Sequence, residues 1–428
     1  MKSNWLEKLR AIGSRKRITS LIGLDLGSTV IKAVEVTMTE DGPYVTAVGR
    51  RAILPGEEFP AALEALLEEN NFTAKEVATA VSGRSVVVRH LTSTPIDDDE
   101  ELKSAMSFEA DKLLPFEHEE ILMDCHRLER TPAVEGEDED PGAHRIGVAL
   151  AACRDTLIEE QFRGVSAAGL IPVAVDVEVF ALANAFELCH GELAAAEMGA
   201  DDEDEEGEAL EGEAPEDDAY GEDPYAEDEE EDVEDPYGTP AGDPDIDPFT
   251  GAGYVDPSTP PPLSGSTVAI ADIGAARTQI SVIVGGETCF SREIGVGGAD
   301  MTQAIARRLG VEHDEAEELK RLPEDRAAEI AEALETVLDD LVGELTLSLD
   351  FVENHESIHV TRLLVTGGGS RTPGLIEALA QGTGREAASW HPFEKLNIDT
   401  ERVDEEGLEI LGQEMAVAIG LAARVTAA

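Results

Sequence analysis

The stretch Leu21-Ile22-Gly23-Leu24-Asp25-Leu26-Gly27-Ser28-Thr29-Val30-Ile31-Lys32 decides the fold. It reads as an apolar strand that ends in Asp-x-Gly, a turn, and a second strand from Ile31 to Val36. Asp41-Gly42 then marks a hairpin into Tyr44–Val48. About 250 residues later the pattern returns. Asp272-Ile273-Gly274 aligns with Asp25-Leu26-Gly27, Thr278–Ile283 with Ile31–Val36, and Gly285-Gly286 falls close to the Asp41-Gly42 turn. A strand, Asp-x-Gly and hairpin unit used twice argues for two related halves that face each other.

Between and beyond these units the periodicity is mostly mixed α/β. Helical spacing appears at Ala61–Leu67, strands at Val77–Val81 and Val86–Leu91, and an acidic-started helix over Asp97–Leu114. Ile146–Cys153 reads as a buried strand, Thr156–Ala168 as a helix, Ile171–Val175 as a strand ending at Asp176, and Val177–Leu188 as a helix. In the second half, helices are expected at Met301–Leu309, at Asp314–Lys320 and from Glu324 to about Glu353. Strand Leu363–Thr366 runs into Gly367-Gly368-Gly369, Pro373 suits a first helical position, and Ala416–Val425 closes the chain as a helix.

The same motifs nominate a site. Gly27 lets backbone approach a ligand, Ser28 and Thr29 offer hydroxyl and N–H groups to phosphate oxygens, and Lys32 supplies a point charge. A strand-end Asp beside phosphate suits water held on Mg²⁺, which takes oxygen ligands and keeps several waters. Asp272-Ile273-Gly274 supplies the same elements from the opposite half, so that a triphosphate would lie between two hairpins. Thr366-Gly367-Gly368-Gly369-Ser370 permits backbone approach to a base or phosphate ahead of a helix start. Glu317 and Lys320, three apart on a helix, share a face that suits ribose hydroxyls or adenine edges, as an ordinary surface pair also would.

Charge sets the exclusions. The 428 residues hold 92 acids and 32 bases, a net charge of −60. A field of that sign repels phosphate backbones, which excludes nucleic acid as a partner. The charge is uneven, however: residues 197–262 contain 27 acids and no Lys or Arg, are rich in Gly and Pro, and are expected to form a disordered, extended loop. Within it Asp-Pro-aromatic recurs at Asp223, Asp235 and Asp247. The first 20 residues carry Lys8, Arg10, Arg15, Lys16 and Arg17, and no window reaches 18 uncharged apolar residues, so neither a signal peptide nor a membrane span is expected. Cys125, Cys153, Cys189 and Cys289 show no metal or redox spacing.

Taken in order, the two Asp-x-Gly hairpins, Ala316-Glu317-Glu318-Leu319-Lys320 and the Thr-Gly-Gly-Gly turn resemble the actin, Hsp70 and sugar-kinase superfamily. Within it the chain is similar to the PilM family of type IV pilus assembly. The likeness rests also on Leu113-Leu114-Pro115-Phe116, Gly169-Leu170-Ile171-Pro172, Val175-Asp176-Val177-Glu178, the helix Phe180–Glu187 and Ile294-Gly295-Val296-Gly297-Gly298. The resemblance implies an actin-like α/β fold of two ribonuclease H-like lobes that binds ATP and Mg²⁺. It assigns Asp25, Gly27, Ser28, Thr29 and Lys32 to the first phosphate loop and Asp272, Gly274 and Thr278 to the second, with Asp25 and Asp272 toward the metal. Glu317, Lys320 and Gly367–Gly369 would surround the adenosine, and Asp176 or Glu178 would orient water. Two departures stand out: Ala276 occupies a position where relatives often carry a hydroxyl, and Arg277 is bulky and charged.

The resemblance further implies a cytoplasmic protein, peripheral to the inner membrane, that grips the N-terminal peptide of a PilN-like protein among other pilus assembly proteins, and it leaves self-association and ATP hydrolysis open. The expected division is a basic arm at 1–20, a first lobe at 21–84 and 169–196, and an inserted, partner-binding small domain at 85–168. The acidic insert follows at 197–262, then a second lobe at 263–407 and a C-terminal helix at 408–428 returning to the first lobe. The competing readings are an actin-like cell-division protein and a small-molecule kinase. The small, nearly uncharged end Gly420–Ala428 argues against the first, and the lack of a nominated substrate base beyond Asp176 and Glu178 against the second.

Overall fold

The computed structural model describes residues 18–198 and 267–427, except positions 55, 84, 94–95, 97, 114–120, 129–145 and 357. The basic arm, residues 114–116 of the Leu-Leu-Pro-Phe signature and the acidic insert beyond Met198 lie outside the described residues.

The first half begins with β1 (Ser20–Leu26), β2 (Val30–Thr39) and β3 (Gly42–Ala52), followed by α1 (Phe59–Glu69) and β4 (Glu76–Val81). After an excursion the chain returns as α3 (Asp155–Ala167), β8 (Ile171–Val177) and α4 (Glu178–Met198). β1 reads as an unbroken apolar run because both its faces are covered. Ile22 and Leu24 pack under α1 with Leu63 and Leu66, while Leu21 belongs to the cluster on the other face, which also holds Leu182 and Phe186 of α4.

The second half repeats the plan with β9 (Val268–Ile273), β10 (Thr278–Val284) and β11 (Glu287–Ile294). There follow α5 (Gly298–Leu309), α6 (His313–Arg321), α7 (Ala327–Glu356), β12 (Arg362–Thr366), α8 (Leu375–Thr383) and β13 (Glu386–Ser389). The strand orders β3-β2-β1-β4-β8 and β11-β10-β9-β12-β13 correspond, and so do their directions. The first three strands of each are antiparallel and the remaining neighbours parallel. β14 (Asn397–Ile398) extends the first sheet beside β3. The duplication expected from the two Asp-x-Gly units is therefore present strand for strand.

The excursion forms a small module. β5 (Val86–Ser93), β7 (Ile146–Arg154) and β6 (Ile121–Leu128) make a three-stranded antiparallel sheet in that order. α2 (Asp99–Leu113) covers it through Leu102 and Met106. After α9 (Glu405–Leu411) comes α10 (Ala416–Ala422), which is buried along its whole length between β1 and α4. Its backbone lies so close that a Cβ on Gly23 would collide with the Ala418 carbonyl, and one on Gly420 with the Ala181 carbonyl. Glu35, fully buried on β2, ties the loop before β4: it accepts from Thr46, from the Thr73 hydroxyl and from the backbone N–H groups of Thr73 and Ala74 at 2.7–2.9 Å.

Some elements differ from expectation. β6 is a further strand, its weak alternation hidden by Asp124, His126 and Arg127. α8 begins at Leu375 rather than at Pro373, because Gly374 takes a left-handed φ of 77° and turns the chain first. The closing helix ends at Ala422 and tightens into a 3₁₀ turn. Among the described residues no helix is long and apolar enough to cross a membrane.

Candidate functional site

Asp25 near the end of β1 and Lys32 on β2 stand opposite each other in the ladder, and Lys32 Nζ donates to Asp25 Oδ2 at 2.8 Å. Burial works to strip the proton from Lys32, but the carboxylates of Asp25, Asp272 and Glu414 outweigh it and hold the lysine above its usual range. Asp272 occupies the matching place in the second half. Burial, with Asp25 nearby, pushes its carboxyl up to about 6 against the pull of Lys32 and Arg277.

Glu178, the first residue of α4, joins them. Its Oε1 accepts from Ser82 Oγ at 2.6 Å and its Oε2 from Gln279 Nε2 at 2.7 Å. Burial and the charges of Asp25 and Asp272 raise it to about 7, although Ser82 and Arg277 oppose the rise. Three carboxylates and one lysine thus converge from the two hairpins and the start of α4. Raised acids of this kind mark sites where charge has been gathered for a purpose.

The glycine turns close around the second hairpin. Gly298 N donates to Gly274 O at 2.9 Å, and Gly369 N to Ile273 O at 2.8 Å, so both Gly-Gly-containing turns hang on the Asp272-Ile273-Gly274 corner. Gly367 has φ of 90°, and a Cβ there would strike the Asp272 carboxylate and the Ile273 backbone. Gly368 lies against Glu414. At the first hairpin, Gly27 is partly buried while Ser28 and Thr29 are exposed at the tip.

Lys320 is almost wholly buried. It donates to the Gly298 carbonyl at 3.0 Å and to Thr302 at 2.8 Å, and pairs with Glu317 at 2.7 Å. A Cβ on Gly298 would sit 3.5 Å from Lys320 Nζ and 3.6 Å from the Gly369 Cα. The Glu317–Lys320 pair therefore joins the Gly274, Gly298 and Gly369 corner, with its lysine committed to protein acceptors.

Two expected residues stand apart. Asp176 Oδ2 is gripped by Arg424 through Nε at 2.7 Å and a terminal nitrogen at 2.5 Å, and its Oδ1 accepts from the Val177 N–H. Of the pair Asp176 and Glu178, only Glu178 joins the cluster. Thr278 is fully buried and donates its hydroxyl to the Val296 carbonyl at 2.8 Å, so it braces the loop instead of facing a ligand.

Gln279, Ser82 and Glu414 went unread in the sequence, where Arg277 stood out only as a departure from the family pattern. Gln279 stands opposite Asp272 in the ladder, as Lys32 stands opposite Asp25. Arg277 donates to Ser82 Oγ at 2.6 Å, and Glu414 bridges Arg50 at 2.7 Å and Arg371 at 3.1 Å. The duplicated ladder could have found Gln279; Ser82 and Glu414 carry no motif.

A second concavity, about 760 Å³, lies between the small module, the β8–α4 junction and the β10–β11 turn. Asp176 and Arg424 line it beside Phe180, Cys153, Thr288 and Lys103. Among the described residues no three His, Cys, Asp or Glu side chains form a ready metal cage.

Two duplicated α/β halves with facing acidic hairpins and a triple-glycine turn define an actin-like ATPase fold. The chain belongs to the type IV pilus assembly protein PilM family, whose model matches residues 23–201 and 245–426. A solved structure described as the PilM-PilN type IV pilus biogenesis complex is similar at 24% identity with a TM-score of 0.69, covering 96% of this chain and 99% of that one. The ethanolamine utilization protein EutJ from Carboxydothermus hydrogenoformans matches at 13% identity and a TM-score of 0.46, over 98% and 99% of the two chains.

Proposed function

We propose that this chain is an MgATP-binding pilus assembly component, peripheral to the inner membrane, that grips the N-terminal peptide of a PilN-like protein. The observation that carries the reading is the cluster of Asp25, Lys32, Asp272 and Glu178 between duplicated hairpins. The residues fit the ligand. The absence of a side chain at Gly367 lets that turn lie directly against the Asp272 carboxylate, and the donors are hard oxygens suited to a hydrated Mg²⁺, which needs only one or two protein carboxylates beside phosphate. Asp25 and Asp272 would hold the waters of the ion, Lys32 and the N–H groups of the Gly27–Thr29 turn the phosphates, and the Gly367–Gly369 turn with Glu317 and Lys320 the adenosine side. Bound MgATP would supply binding energy that biases the relation of the two halves. Glu178, held by Ser82 and Gln279, would orient water in any slow hydrolysis.

The cavity between the small module and the β8–α4 junction suits capture of an extended peptide, since it joins a sheet, an apolar wall and the Asp176–Arg424 pair. The PilM-PilN complex pairs proteins of those two names, which supports a PilN-like partner here. Calorimetric titration tests the reading. The wild type should bind MgATP, and Lys32→Ala and Asp25→Ala should each weaken binding at least about tenfold, as expected for loss of a charge-assisted contact. Unchanged binding in both variants would refute the site.

A further inference from the structure

Three carboxylates meet a single lysine in the cluster, and a bound polyphosphate would add more negative charge than one Mg²⁺ removes. A further cation is needed, and the described bases near the site differ in how free they are. Lys32 is fixed on Asp25 and only 15% exposed. Lys320 is 7% exposed and committed to Gly298, Thr302 and Glu317.

Arg277 is built differently. It sits in the second hairpin turn itself, three residues after Gly274, and its side chain is 37% exposed. Its guanidinium spans the two halves: one terminal nitrogen donates to Ser82 Oγ at 2.6 Å and lies 3.9 Å from Glu178 Oε1, while Nε lies 3.4 Å from Glu293. Ser82 follows β4 of the first half, so the bond crosses the gap between the halves. Its partners are a neutral hydroxyl and two acids at longer range, none of which makes the bidentate fork that fixes an arginine. Arg277 also pulls against the rise of the Glu178 and Asp272 carboxyls, which places its charge within the field of the cluster.

We infer that Arg277 is a terminal-phosphate sensor: it bridges the halves through Ser82 when the site holds no triphosphate and exchanges that bridge for the terminal phosphate of a nucleoside triphosphate. The planar guanidinium prefers a phosphate dianion, with its charge and paired acceptors, over a serine hydroxyl. Exchange of a contact between halves for a contact to ligand makes the relation of the halves depend on the terminal phosphate. The residue thereby confers discrimination of triphosphate from diphosphate, a regulatory feature that rests on the nucleotide reading above.

The test compares MgATP, MgADP and the non-hydrolysable imido analogue of MgATP by calorimetry on the full chain, with thermal melting of the ligand-free proteins as a folding control. Arg277→Gln should lose about tenfold affinity for both triphosphates and less than about twofold for MgADP, the loss of one charge-assisted hydrogen bond. Arg277→Lys, which keeps the charge without the fork, should fall between. Equal losses on triphosphate and diphosphate in Arg277→Gln, or no loss on either, would each overturn the inference. A wild type that binds none of the three nucleotides would instead bring down the nucleotide reading, and this one with it.

Discussion

Glu178→Gln tests the electrostatics of the cluster with no ligand present. In the unfolded chain the carboxyl titrates near 4.5, whereas burial among Asp25 and Asp272 raises it to about 7 in the folded protein. Between those values the native state holds a proton that the unfolded state has released. Stability from this group is therefore full below about pH 4.5 and is lost as pH rises through about 7. At about 1.4 kcal/mol per unit the loss is about 3.5 kcal/mol at most, and a side chain 14% exposed and sharing charge with its neighbours should realise about 2 of it. The glutamine amide has the same shape and no charge. Its new N–H₂ also has a partner at hand: Gln279 Oε1 is buried without one, and a turned Gln279 amide can accept there. Urea unfolding followed by circular dichroism at pH 5, 6, 7 and 8, without Mg²⁺ or nucleotide, should give the smallest difference at pH 5 and a variant more stable by about 2 kcal/mol at pH 8. Asp272 tilts both curves in the same direction, so the difference between them is the diagnostic quantity. Parallel curves, or a wild type that gains on the variant as pH rises, would refute the electrostatic account.

Gly420→Ala sets a methyl group against the Ala181 carbonyl in a helix locked between β1 and α4, and should cost about 3 kcal/mol in urea unfolding; a cost under 1 would mean that α10 is free to shift. Glu35→Gln exchanges an acceptor of two backbone and two hydroxyl donors for an amide that leaves at least one donor unpaired, with an expected loss of about 2 kcal/mol by the same assay at pH 7. Burial opposes the Glu35 charge, but the Ala74 and Thr73 N–H groups hold its pKa below the usual carboxylate value, so its contribution should also fade as the wild type is acidified.

The fold was legible where local pattern and tertiary demand coincide. Leu21–Leu26 and Val268–Ile273 are apolar because helices cover both faces of each sheet, and a strand covered on both faces must be apolar whatever its partner. Asp-x-Gly followed by a second strand survived in both halves because each hairpin needs a tight turn beside a buried acid. β6 was illegible for the opposite reason: as an edge strand of a small sheet it tolerates Asp124, His126 and Arg127. The start of α8 was misplaced because Pro373 satisfies a helix start as well as it satisfies the turn before Gly374. Of the site, sequence offered the residues of motifs and missed those of geometry. Glu414 reaches the triple-glycine turn from the far end of the chain, and only packing brings it beside Arg50, 364 positions away. Asp176 and Glu178 lie two residues apart and were interchangeable on paper. Arg424, near the C-terminus, is what assigns Asp176 to the cavity wall and leaves Glu178 to the cluster.

The two halves are equivalent in backbone but not in charge, and the difference follows from one ladder position. Opposite Asp25 stands Lys32; opposite Asp272 stands Gln279. The first acid is neutralised within its own hairpin. The second faces a neutral amide that turns to Glu178 instead, so no base in its own ladder offsets the burial of Asp272, and its carboxyl rises to about 6 against the pull of Lys32 and Arg277. A symmetric pair of lysines would neutralise both acids and leave less reason for a divalent ion to enter. With one lysine, the first hairpin balances its acid within its own ladder, whereas the acid of the second is offset only by Lys32 of the first hairpin and by Arg277 of its own turn. Duplication of the strand plan thus yields two halves alike in backbone and unlike in charge, and the difference is lysine against glutamine at equivalent places in the sheet.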